Sequence, residues 1–376
     1  MNFLRRDGIG DVLFMQPALK RLMARGDAML WTTKALLPVA ELMGVNVGDA
    51  DGGAMPGNVR DHCHALEGHS WRYVLDRVTL WELILGAEVT ETPVAVTLPG
   101  GGRERIEAHP AYRTGLLNLY FSPIVTHGRQ REWRDGLVRS VIPGLVARFN
   151  VVVASAGAMP GGLAHDGALQ FPDLPLPEWF ALVGGCDAAL THDTGGAWIA
   201  SAGGIPTVAT FNTVPPWLRA RRFPNVRSVF MRLPKCNCDH HDGCPFGDYA
   251  CCEGITAAEL IGHVEAAMRG ERGVWEARTG KAVQPPTIEV PEEFAELLLP
   301  SCVGVDVRVV AEPTTTQVLK VNRSIQTGEP IAPSREAVWN MLTEALRRGG
   351  RRRGRPQENV WVLRPLSLAR ASSGVS

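Results

Sequence analysis

Residues 186–211 read CDAALTHDTGGAWIASAGGIPTVATF, a stretch with little freedom in what it folds into. Residues 188–191 predict a buried strand, 192–196 a polar glycine turn and 197–202 a short apolar helix; after the Gly203-Gly204 stop, residues 207–211 predict a second strand. The helix opens at Gly195 and Gly196 on backbone amides with almost no side-chain cover. Those amides and the positive end of the helix dipole favour an anion, typically a phosphate, just beyond the preceding strand. The same glycines also fit a tight turn chosen only for its backbone angles.

The N-terminus repeats the logic. A clipped strand at residues 2–4 leads through Asp7-Gly8-Ile9-Gly10-Asp11 into a stretch where Val12, Met15, Leu19, Leu22 and Met23 recur at helical spacing. Pro17 lies inside it, so the helix kinks there or begins there. Strands at 28–33, 45–47 and 94–98 alternate with helices at 35–43 and 71–86, which argues for an α/β domain with a largely parallel sheet over residues 1–115. A second such domain spans 116–270. It has a strand at 124–126, the basic turn HGRQREWR, an amphipathic helix at 137–148, a buried strand at 151–154, a helix opening at Pro177, and a last helix from Thr256 to Met268 capped by Thr256. From 271 to 376 proline and polar residues dominate, which reads as a tail or small accessory module; the arginine run at 347–355 is a solvated segment or a contact for nucleic acid or lipid.

Lysine plus arginine and aspartate plus glutamate number 39 each, so no global field steers the chain toward nucleic acid, and none is expected as a partner. No apolar run has a membrane-spanning length, and the first residues put charges where a secretory signal needs its apolar segment. The expected location is cytoplasmic, with peripheral contact at the inner face of a membrane. Five of the eight cysteines crowd one segment, C-x-C-x5-C-x6-CC. Cys236, Cys238, Cys244 and Cys251 could ligate a structural metal, but C-x-C chelates less well than C-x2-C, and packed free thiols are the competing reading.

Three stretches together resemble one family. RRDGIGDVLFMQPALKRL looks like the opening loop and helix of the heptosyltransferase-like enzymes of glycosyltransferase family 9. LPEWFALVGGCDAALTHDTGGAWIASAGGIPTVATFN looks like their nucleotide-sugar turn, and CNCDHHDGCPFGDYACCEGITAAELIGHV is similar to the cysteine-bearing loop and final helix of many members. The resemblance covers roughly residues 1–270 and implies the GT-B fold, two Rossmann-like domains facing across a cleft. It also implies inverting, metal-independent transfer of a heptose or related sugar from a nucleotide diphosphate, ADP-heptose among the candidates, to a glycan or glycolipid such as a lipopolysaccharide core. No cofactor is required in that reading.

The resemblance assigns roles residue by residue. Asp11 matches the carboxylate that takes the acceptor's proton, against the alternative of a plain helix N-cap. Asp193, Thr194 and Gly195 match the donor-binding triplet; Thr194 and the amides of Gly195 and Gly196 would hold the diphosphate, with Gly10 lining the opposite loop. Arg131 matches a basic residue before a tryptophan and would compensate the diphosphate, against the alternative of a surface arginine. Trp198 departs from the pattern, standing where many members carry a histidine, and puts donor contacts there in doubt. A non-catalytic sugar-nucleotide binder derived from the same fold is the rival reading.

Overall fold

The computed structural model describes residues 1–63, 76–123, 133, 135–154, 165, 167–231, 250–252, 255–277, 280–283, 287–291, 307–310 and 360–362, less residues 7 and 27. Two compact units result: residues 1–66 with 76–284, and residues 67–75 with 285–376.

The first unit holds two sheets. The smaller consists of β1 (Asn2–Leu4), β2 (Met29–Thr32), β3 (Val47–Asp49) and β4 (Val59–Asp61), all parallel, in the order β3-β2-β1-β4. Three residues suffice for β1 because it is the central strand, paired on both edges over its whole length. Pro17 marks a start: the helix Ile9–Phe14 ends, and Gln16–Arg25 begins with the proline in its first turn, where its missing N–H costs nothing.

The larger sheet consists of β5 (Leu117–Ser122), β6 (Phe149–Ala154), β7 (Leu169–Phe171), β8 (Ala188–His192), β9 (Thr207–Phe211), β10 (Val226–Phe230), β11 (Gly273–Glu276) and β12 (Ala282–Val283). Its order is β12-β11-β10-β9-β8-β5-β6-β7, parallel throughout except for β12. Counted from β5, the first six strands lie in the order 3-2-1-4-5-6 of the dinucleotide-binding fold, and the smaller sheet repeats its 3-2-1-4 portion. Each sheet therefore has a point where the winding reverses, beside β1 in one and between β5 and β8 in the other. Ligands of such sheets bind outside the carboxyl ends of the strands at that point.

The strand expected at 124–126 lies outside the described residues; the described strand of this region is β5, which sequence reasoning did not single out. Leu119, Tyr120 and Phe121 are all buried, because a parallel sheet is covered on both faces and its strands lose the polar-apolar alternation. Residues 94–98 form an extended strap instead of a strand. Its hydrogen bonds go to a loop, a helix end and a side chain: Val94 N–H donates to the Arg222 carbonyl, Val96 N–H to that of Ala202, and Ala95 exchanges two bonds with the Gln16 amide.

The core of the larger sheet packs Leu119, Val151, Leu190, Val208 and Val229 beneath Val141, Leu145, Leu260 and Val264 of the helices Asp135–Val146 and Ala257–Met268. Thr256 caps the second of these through a reciprocal box with Glu259. In the second unit, β13 (Thr287–Pro291) pairs in parallel with β14 (Val307–Val310) on one side and β15 (Val360–Val362) on the other. Among the described residues no helix is long and apolar enough to cross a membrane.

Candidate active site

The loop after β1 and the turn after β8 both leave carboxyl edges of parallel strands, and the packing of the first unit brings them into contact. Gly8 caps the helix Ile9–Phe14 with φ 76°, a backbone state that favours glycine, and no side chain caps it. Asp11 is therefore not the N-cap. It sits in the helix's first turn, its side chain 20% exposed, and accepts a hydrogen bond from Arg5 Nη2 at 3.0 Å. Arg5 is buried, also donates to the carbonyls of His62 and Cys63, and lies over the Trp81 ring. These contacts fix the guanidinium, which in turn fixes the carboxylate.

Across from it, β8 ends at His192 and the helix Gly195–Ala202 begins after Thr194, whose extended backbone suits an N-cap but whose hydroxyl makes no capping bond. Asp193, 4% exposed, is held by its N–H to the Thr210 carbonyl of β9. The amides of Gly195 and Gly196 have no hydrogen-bond partner among the described residues, as the first amides of a helix do.

Between the two carboxylates stands Arg219, 7% exposed. Its Nη1 is 3.8 Å from Asp11 Oδ1 and its Nε 3.9 Å from Asp193 Oδ2. Sequence reasoning missed both Arg219 and Arg5. The available signal for Arg219 was the aromatic and basic run that follows β9, since β9 pairs in parallel beside β8 and its loop must leave the same edge.

The glycines of both loops serve close approach. A Cβ on Gly10 would meet Trp198 Cδ1 at 2.7 Å, one on Gly195 would meet Ile9 Cβ at 3.0 Å, and one on Gly196 would meet the Tyr120 hydroxyl at 3.0 Å. Burial pushes the Tyr120 phenol up to about 12, so it stays protonated, and its oxygen accepts from Trp179 Nε1. Trp198 is 2% exposed, with ring centroids 5.3 Å from Phe14, 4.9 Å from Phe223 and 6.1 Å from Phe211. It is an apolar staple between the N-terminal helix and the glycine turn.

Arg131 lies outside the described residues, as do Cys236, Cys238 and Cys244. Neighbouring Trp133 donates through Nε1 to Thr210 Oγ1 at 2.8 Å, which ties the far end of that loop to β9. Cys251 is buried in the turn Ala250–Cys252, and no group of three His, Cys, Asp or Glu side chains suited to a metal occurs among the described residues.

No protein-family model matches the chain, and no curated protein sequence matches it. Solved structures do. The dodecameric iron-containing heptosyltransferase TibC from enterotoxigenic E. coli, solved with ADP-D-β-D-heptose, superposes with a TM-score of 0.53 at 19% identity, over 71% of this chain and 76% of TibC. A family 9 glycosyltransferase from Veillonella parvula superposes with a TM-score of 0.55 at 12% identity, over 72% of this chain and 97% of that one. At such identities the likeness is one of fold: the first unit has the GT-B architecture seen in glycosyltransferase family 9.

Proposed function

Taking that GT-B fold as the premise, we propose that the protein is an inverting glycosyltransferase. It moves a heptose or related sugar from a nucleotide diphosphate, ADP-heptose being the first donor to try, to a glycan or glycolipid acceptor of the lipopolysaccharide-core kind. The observation that carries the reading is the meeting of two switch-point loops, one bearing Asp11 and the other Asp193 and the amides of Gly195 and Gly196, which have no partner among the described residues, around Arg219.

In this reading Asp11 takes the proton from the acceptor hydroxyl as its oxygen attacks the anomeric carbon. Arg5 holds the carboxylate in place. The leaving diphosphate gains negative charge as the sugar departs, and Thr194, the Gly195 and Gly196 amides and the helix dipole behind them stabilise it, with Arg131 as a further cation. Charge compensation of this kind needs no catalytic metal. The proposed domains are an acceptor domain over 1–115, a donor domain from 116 that extends past the expected limit of 270 to take in β11 and β12, and an accessory region beyond them. The work is done in the cytoplasm, peripheral to the membrane.

The test is release of ADP from ADP-heptose in the presence of a heptose-deficient lipopolysaccharide core. Asp11→Asn should lower turnover by about 10²–10⁴-fold while leaving ADP binding nearly intact. Wild-type turnover in that variant would remove Asp11 as the base. Trp198 supports a second reading, a non-catalytic sugar-nucleotide binder, because an indole packed among three phenylalanines offers the donor no polar contact. That reading predicts nucleotide binding by the wild-type protein with no transfer to any acceptor.

A further inference from the structure

Arg219 presents an anomaly that the ion pairs do not resolve. Its guanidinium belongs to a residue more than nine-tenths buried, yet both carboxylates stand 3.8–3.9 Å away, beyond the 2.7–2.9 Å of a charge-assisted hydrogen bond. No side-chain hydrogen bond of Arg219 forms among the described residues, and its Nε is buried without a hydrogen-bond partner. Two more buried side-chain atoms without partners belong to the loops leaving the same edge of the sheet: the hydroxyls of Thr194, after β8, and Thr213, after β9. Buried donors are almost always satisfied, so a group of them left open at a strand edge is equipped to take the acceptor atoms of a ligand.

The acceptor's chemistry follows from the donors. Guanidinium N–H groups donate and cannot accept, and their planar fork matches two oxygens of a phosphate or carboxylate. Arg5 and Arg219 together offset Asp11 and Asp193, so the four charges sum to zero. An anion entering beside the Gly195–Ala202 helix therefore meets a neutral cluster, the positive end of a dipole and a set of open donors.

We infer that Arg219 binds the diphosphate of the donor, as a cation stored between the base and the donor turn. Its weak contacts with Asp11 and Asp193 hold it in position without using its hydrogen-bonding capacity. Diphosphate binding draws it onto the phosphate oxygens. This rests on the glycosyltransferase reading and adds to it the residue that distinguishes a diphosphate from a bare nucleoside.

Calorimetric titration of the full chain with ADP and with adenosine tests it. Arg219→Gln is expected to weaken ADP binding by about 10–100-fold, the loss for a hydrogen bond to a charged group, and to change adenosine affinity less than about threefold. Arg219→Lys, which keeps the charge but not the fork, is expected to fall between, and it carries the test if the glutamine variant does not fold. Equal weakening of ADP and adenosine in either variant would make Arg219 a structural strut, and unchanged ADP binding would also overturn the assignment while leaving the glycosyltransferase reading in place. A wild-type protein that binds none of ADP, GDP and UDP would overturn both.

Discussion

Gly10→Ala isolates the contact that joins the two halves of the site. The new methyl carbon would lie 2.7 Å from Trp198 Cδ1 and 3.3 Å from its Nε1, whereas carbon atoms in contact sit about 3.5–4.0 Å apart. The overlap is close to 1 Å, and the indole has nowhere to go: three phenylalanine rings surround it and 2% of the residue is exposed. Overpacking of this size costs about 3 kcal/mol, the upper part of the usual range. Replacing a helical glycine by alanine returns about 0.5–1 kcal/mol. The net expectation is a loss of about 2 kcal/mol in urea unfolding followed by far-UV circular dichroism, read as a lower midpoint at unchanged slope. In a Trp198→Ala background, itself destabilised by about 3–5 kcal/mol, the same Gly10→Ala change meets open space and should stabilise by about 0.5 kcal/mol. The sign of the substitution thus reverses between backgrounds. A Gly10→Ala loss equal in both would refute the packing argument.

Other sites give independent tests. Arg222 is buried with its Nη2 3.2 Å from Glu82 Oε2 and 3.1 Å from Thr79 Oγ1, and burial raises the Glu82 carboxyl above its ordinary value against the pull of Arg222 and Arg21. Arg222→Leu should cost about 3 kcal/mol in the same unfolding assay, because it takes from a buried carboxylate one of its two cations and leaves only Arg21. His263 accepts a hydrogen bond at Nδ1 from Arg227 Nε at 3.0 Å, and burial, aided by the Arg227 charge and opposed by Glu259 and Glu271, lowers it to about 4. Its neutral form is the one the fold keeps, so its contribution to stability is complete above the ordinary value of 6.5 and is lost as pH falls toward 4; the drop in Tm between pH 7 and pH 5 should shrink in His263→Gln. Thr256→Ala removes the capping box of the last helix of the first unit and should cost about 1 kcal/mol with no effect on ADP affinity.

The local grammar of the site was legible without coordinates. Strand, turn and helix around Asp193, the glycine loop before Asp11, the break at Pro17 (a kink or a start by sequence, a start in the structure) and the Thr256 cap all depend on backbone angles and hydrogen bonds within a few residues. Signals of that range are written in the chain itself. Legibility failed where burial on both faces removed the alternation of β5, and where the strap at 94–98 took its hydrogen bonds from Arg222 and Ala202. Neither fact depends on nearby sequence.

Asp11 and Asp193 were nameable from the resemblance of their loops to those of the family, but not what stands between them. Sequence alone determined that each half of the protein would carry a glycine turn at a strand end, because only certain residues permit such turns. Tertiary structure decided the rest. The 3-2-1-4-5-6 order puts those ends at switch points, Trp198 packs against the α-carbon of Gly10 where a histidine was the family's expectation, and Arg219 comes to lie between two carboxylates far from it in the chain. Contacts between distant segments come from whichever packing buries the most surface and leaves the fewest charges alone, and no short stretch of residues contains that information.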